Sequence, residues 1–133
     1  MFENATTRTK QGDIGEARAI YEYTRLGYGV SRTLFDSCRY DLIIDDGSTL
    51  QRVQVKTTGR VVDSGGFAVQ IVTTGGNRKV NTKRKREDTD YDILFVMTAT
   101  NRCWSIPVST LNGANVCIVV GNDRHAEFEL KGS

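Results

Sequence analysis

The nine residues Tyr91-Asp92-Ile93-Leu94-Phe95-Val96-Met97-Thr98-Ala99 constrain the fold more than any others in the chain. The run is almost continuously apolar, the mark of a strand buried on both faces, and hence of a sheet with cover above and below. Residues 102–108 should pair with it as an outer strand, because Pro107 lacks the N–H that an inner strand donates on both sides. Residues 12–27 predict the main helix. Ile14, Ala17, Ile20, Tyr21 and Thr24 recur there at three- and four-residue spacing, with Asp13 as the N-terminal cap and Gly27 or Gly29 as the stop.

The rest of the pattern is mostly strand. Residues 28–35 and 67–74 read as strands, and 39–57 as a hairpin. Residues 75–90 read as a polar, basic connection, 108–113 as a short turn or helix, and 116–120 as a last core segment before a polar tail. A chain of 133 residues without repeats or linkers is expected to form one domain. The fold class is α/β or α+β: a mixed sheet with one N-terminal helix packed on it.

Composition excludes more than it selects. A single histidine, His125, leaves no room for His-rich zinc sites, and its polar surroundings suit a solvated side chain. Neither a GxxxxGK[ST] nor a GxGxxG pattern occurs, so nucleotide-binding folds have no support. Cys38, Cys103 and Cys117 are odd in number and far apart, and read as reduced, partly buried thiols. No apolar stretch reaches about 18 residues, and the first residues lack the apolar core of a signal peptide. A soluble, cytoplasmic protein with no membrane partner is expected.

The hairpin carries the chemistry. If Asp46-Gly47-Ser48-Thr49 form a four-residue loop, Asp45 pairs with Leu50 and Asp41 falls opposite Gln54. Side chains alternate along a strand, so Gln54 and Lys56 share one face while Val53 and Val55 take the other. Asp41, Gln54 and Lys56 then converge on one patch. Such a patch can be a hydrogen-bonded polar cluster, with Asp41 paired to Lys56. It can equally be a set of oxygen ligands beside a lysine, able to hold Mg²⁺ and direct water at a phosphodiester.

The second arrangement resembles the PD-(D/E)xK nuclease superfamily, and the likeness extends past three residues. Gly12-Asp13-Ile14-Gly15-Glu16 matches a helix bearing Gly-x-x-Gly-Glu, and Gly27-Tyr28-Gly29-Val30 a following strand. Arg39-Tyr40-Asp41-Leu42 and Arg52-Val53-Gln54-Val55-Lys56-Thr57 match the two arms of the site. Residues 91–96 match the core strand, and 104–108 a Val-Pro strand. Order and spacing agree over about residues 10–111, whereas the last twenty residues match nothing usable.

The Gln-x-Lys form is similar to group I intron-associated homing endonucleases. Archaeal-type Holliday junction resolvases share the helix glutamate but usually keep Glu-x-Lys. The resemblance implies a restriction-endonuclease-like fold and a Mg²⁺-dependent, site-specific double-strand DNA endonuclease, with Mn²⁺ able to substitute. Glu16, Asp41 and Gln54 would be metal-site residues, and Lys56 the catalytic base or water-orienting group. A junction resolvase, or a DNA-binding module whose active site has decayed, are the alternatives, since Gln54 brings no charge to the cation.

The stretch from Arg78 to Arg86 packs six basic residues into nine: Arg78, Lys79, Lys83, Arg84, Lys85 and Arg86. In isolation it reads as a solvated loop, and beside a phosphodiesterase site as a phosphate-contacting surface that Arg8, Lys10 and Arg60 can extend. Gln70, Thr73, Thr74 and Asn77 are placed to read bases. Arg39 and Arg52 flank the site and either clamp the scissile phosphate or balance local acids. Trp104 is expected to fill the core. One small site cuts one strand, so a homodimer or higher homo-oligomer is expected on double-stranded DNA.

Overall fold

Thr7 starts the helix: its hydroxyl accepts the Lys10 amide at 3.1 Å, one of the donors an α-helix leaves unpaired at its start. The structure, a computed structural model, describes residues 1–35, 37–74 and 83–131. The helix, α1, spans Arg8–Arg25 and stops where Gly27 takes φ +95°. It begins before the expected Asp13, because its first turn is entirely polar and carries no hydrophobic period to reveal it.

Among the described residues the strands are β1 (Gly29–Arg32), β2 (Leu42–Asp45), β3 (Leu50–Thr58), β4 (Phe67–Gln70), β5 (Thr73–Thr74), β6 (Lys83–Arg84), β7 (Ile93–Thr98), β8 (Cys103–Pro107), β9 (Cys117–Val120) and β10 (Glu129–Leu130). The main sheet runs β1-β2-β3-β7-β8-β10, with β3 and β7 parallel and every other neighbour antiparallel. A mixed sheet with α1 packed on it is the arrangement expected.

All six residues of β7 are buried, as its apolar run requires. Ile93, Phe95 and Met97 face Ala19 and Tyr23 of α1, while Leu94 and Val96 face a second layer built on β4 and β9. Burial of Tyr23 drives its phenol pKa up, and the hydroxyl keeps one partner, Ser105 Oγ at 2.7 Å.

The buried face of α1 is Gly15, Ala19, Glu22 and Tyr23, a stripe rotated from the one expected; Ala17 and Tyr21 are exposed. The cause is close approach. A Cβ at Gly15 would collide with the Thr57 methyl and press on Val55 Cγ1, so small residues face β3 here and larger apolar ones flank them. Glu22, buried in that stripe, is held by Arg18 and Arg25.

Three further expectations change. The strand expected over 67–74 divides, because β4 pairs with β9 while β5 pairs with β6. The strand expected over 28–35 is shorter, and β8 is not the outermost strand, since β10 pairs with its Cys103-Trp104 end. Pro107 lies on the half of β8 that β10 does not reach. Of the cysteines, Cys103 alone is buried, which pushes its thiol pKa up to about 11; Cys38 and Cys117 are exposed. His125 is partly buried rather than fully solvated, and burial lowers its pKa. Trp104 is wholly buried, as expected, with the Arg102 guanidinium 4.9 Å from its ring centre.

Candidate active site

The hairpin has the register its turn demands. Asp46 accepts the Ser48 and Thr49 amides, closing the loop, and Asp45 stands opposite Leu50. Leu42 opposite Val53 then brings Asp41 level with Gln54. At that point the two strands part. The Asp41 amide still donates to the Val53 carbonyl at 2.8 Å, but the next β3 amide facing this way, Val55, has no strand to pair with. It donates instead to Asp41 Oδ2 at 2.8 Å. An acid is used here because a diverging strand leaves a backbone donor that something must accept.

On β3, Gln54 and Lys56 lie level with Leu94 and Val96 of β7 in the parallel register, and so share their face of the sheet. Val53 and Val55 turn toward the α1 layer. The Lys56 ammonium donates to the Val72 carbonyl at 3.2 Å, which orients the side chain along the layer interface. Glu16 approaches from the margin of the buried α1 stripe, one residue beyond Gly15. Its side chain is 25% exposed and accepts from Arg32 Nε at 2.8 Å.

These four residues meet. Glu16, Asp41, Gln54 and Lys56 line one cavity of about 280 Å³, together with Arg32, Arg39 and the loop that joins β1 to β2. Asp41 offers a carboxylate with one oxygen already committed, Glu16 a carboxylate, and Gln54 an amide oxygen. That all-oxygen set suits a hard divalent cation. Among the described residues, no group of three or more His, Cys, Asp or Glu side chains is placed to hold a metal. The set therefore carries less charge than a three-carboxylate site.

The flanking residues divide. Arg39 lines the cavity and pairs with the buried Asp90 at 3.1 Å. Arg52 is a latch: it grips Asp92 through Nη2 at 3.2 Å, donates to the Thr89 carbonyl and lies over the Tyr40 ring. Gln70 is exposed and faces a separate groove. Lys85 is exposed, but Arg86 is only 3% exposed, so it is no part of a basic surface. Its guanidinium donates twice to the Ala114 carbonyl and pairs with Asp88, pinning the segment before β7 to the one before β9. A charge run in sequence gives no sign of which member turns inward.

Lys83 and Arg84 form β6 opposite β5; Arg78, Lys79 and Asn77 lie outside the described residues. Sequence reasoning passed over Arg32 and Cys38, both of which line the cavity. The strand pattern around Val30 gave no reason to single out Arg32, and Cys38 lies in a loop.

Residues 6–130 match the family model described as PD-(D/E)XK endonuclease. The chain belongs to that family. As a PD-(D/E)XK endonuclease it is a nuclease, and the match reaches past the residues 10–111 legible in sequence to include β9 and β10. The endonuclease is similar in structure to a bacterial homing endonuclease, I-Ssp6803I. The TM-score is 0.72 and the identity 26%, over 90% of this chain and 82% of that one. No curated protein matches the sequence significantly. No helix among the endonuclease's described residues is long and apolar enough to cross a membrane.

Proposed function

We propose that this endonuclease is Mg²⁺-dependent, with Mn²⁺ able to substitute, and cuts both strands of duplex DNA at a specific site, as a homing enzyme does. The observation that carries the reading is the meeting of Glu16, Asp41, Gln54 and Lys56 in one cavity. A bound Mg²⁺ would polarise the scissile phosphate and lower the pKa of attacking water. Glu16, Asp41 and Gln54 supply the oxygens that would hold it. Asp41, which lines the cavity, is kept in place by its bond to the Val55 amide. Gln54 contributes no charge, which weakens cation affinity relative to a carboxylate at that position.

Lys56 handles the proton. Its ammonium orients the attacking water toward phosphorus or accepts a proton from it after losing its own, and the Val72 carbonyl limits where the Nζ can swing. Arg39, which lines the cavity beside its partner Asp90, would neutralise a phosphate oxygen. Affinity for duplex DNA comes from the basic residues around β6, which are sequence-independent contacts. Sequence choice falls to the polar side chains on and after β4. One cavity per chain cuts one strand, so two chains act on one duplex.

The test is cleavage of genomic duplex DNA and of a synthetic four-way junction, with Mg²⁺ and with EDTA, by wild type and Lys56→Ala. Discrete duplex cuts that require both Mg²⁺ and Lys56 are expected. Paired nicks confined to the junction would instead make the enzyme a resolvase, and binding without cutting would make it a DNA-binding module.

A further inference from the structure

At the end of β3 a second groove opens between the first turn of α1 and β4. It is lined by Arg8, Gln11, Thr57, Gly59, Arg60 and Gln70 among others, and no acidic side chain is among its described lining residues. Among the described residues seven other arginines sit against carboxylates, Arg124 being the exception: Arg18 and Arg25 against Glu22, Arg32 against Glu16, Arg39 against Asp90, Arg52 against Asp92, Arg86 against Asp88, and Arg102 against Glu129. Arg8 and Arg60 have no such partner among the described residues. Two uncompensated guanidinium groups in one polar groove repel each other and gain from an anion between them.

The walls of this groove are fixed by hydrogen bonds. Gln11 Nε2 donates to Thr57 Oγ1 at 2.9 Å, tying the first turns of α1 to β3. The buried Thr58 hydroxyl donates to the Ala68 carbonyl and accepts the Arg60 amide at 3.1 Å, while the Ala68 amide donates to the Arg60 carbonyl at 2.9 Å. The backbone carrying Arg60 is thus held on both sides before any ligand arrives. Gly59, next to it, also lines the groove.

We propose that this groove is a second phosphodiester-binding site, in which Arg8 and Arg60 hold the backbone of the DNA strand outside the catalytic cavity. The proposal rests on the nuclease reading above. Arg8 lies eight residues before Glu16, about 12 Å along the helix at 1.5 Å per residue. Gln11, through the second N–H of its amide, adds a donor to the phosphate held by Arg8 and Arg60.

The experiment measures binding of fluorescein-labelled 30-base-pair duplexes of three unrelated sequences across a salt series. It uses Lys56→Ala as the uncut background, with Arg8→Gln, Arg60→Gln and both added. Each arginine removed should make the slope of log K against log salt shallower by about 0.9, and weaken all three duplexes by the same factor. Arg124→Gln, on a distant exposed turn, should leave the slope as it is. An unchanged slope in the double variant overturns the groove, and a loss confined to one sequence overturns the phosphate assignment in favour of base reading. The nuclease reading is judged separately, by wild-type cleavage of genomic duplex DNA with Mg²⁺. If wild type cuts while the double variant keeps its slope, only the groove fails; if wild type neither binds nor cuts, both do.

Discussion

A lysine that donates to one backbone carbonyl is already aimed. Lys56→Ala should lower the cleavage rate by at least about 10²-fold, the range for losing a positioned proton-transfer group, while the Kd for duplex DNA stays within a factor of a few. Single-turnover cleavage and anisotropy binding on one preparation check both halves. Asp41 is a harsher position, because its carboxylate serves the fold as well as the site. Asp41→Ala leaves the Val55 amide without its acceptor and should cost about 1–3 kcal/mol in urea unfolding, besides abolishing cleavage. Asp41→Asn keeps an acceptor oxygen and should recover most of that stability with none of the activity. Residues of this double kind are legible in sequence only as an acid in an apolar hairpin. The bond that explains the acid depends on where β2 and β3 separate, which the turn and the alternation together locate.

Elements record what local pattern conveys and what it does not. The β2–β3 register followed from the loop and the two-residue period, both local. The rotation of the buried stripe on α1 did not, because it depends on how near β3 lies. Gly15 carries that information in the fold but looks in sequence like one more helix-weakening residue. Gly15→Ala should destabilise the protein by about 1–3 kcal/mol through overpacking against Thr57, and should depress cleavage by displacing Glu16. Paired chemical unfolding and Mn²⁺-titrated cleavage measure the two effects.

The pairing of β4 with β9 joins residues about fifty positions apart, and Arg86 turns inward to serve a connection that only the assembled layers create. Neither has a short-range signal. Electrostatics at this scale is testable at the β3–β7 junction. The Arg52 guanidinium holds Asp92 below its ordinary pKa of 3.8. A lowered carboxylate pKa stabilises the fold above the unfolded value and is lost as pH falls through the folded one. Asp92→Asn should therefore be less stable than wild type at neutral pH, and the gap should close below about pH 4, as followed by unfolding midpoints across pH.

At the scale of the whole molecule, sheet and site were largely foreseeable, since a doubly buried strand flanked by a hairpin with converging polar groups admits few architectures. What lay beyond foresight is the second layer and the short strand near the end of the chain, both products of long-range pairing. On the proposed reading two chains act on one duplex, so sedimentation equilibrium at micromolar concentration with duplex DNA should give at least twice the 14.8 kDa chain mass for the protein component.

The small strand β10 covers the Cys103-Trp104 end of β8 and ties itself down through Glu129 to Arg102, while Pro107 marks the half left open. Sheets left with a bare rim recruit other sheets. β10 thus acts as a guard against self-association rather than as a support for chemistry. Shortening the chain before it should leave catalytic turnover almost intact, yet turn heating from simple unfolding into fibrous precipitation.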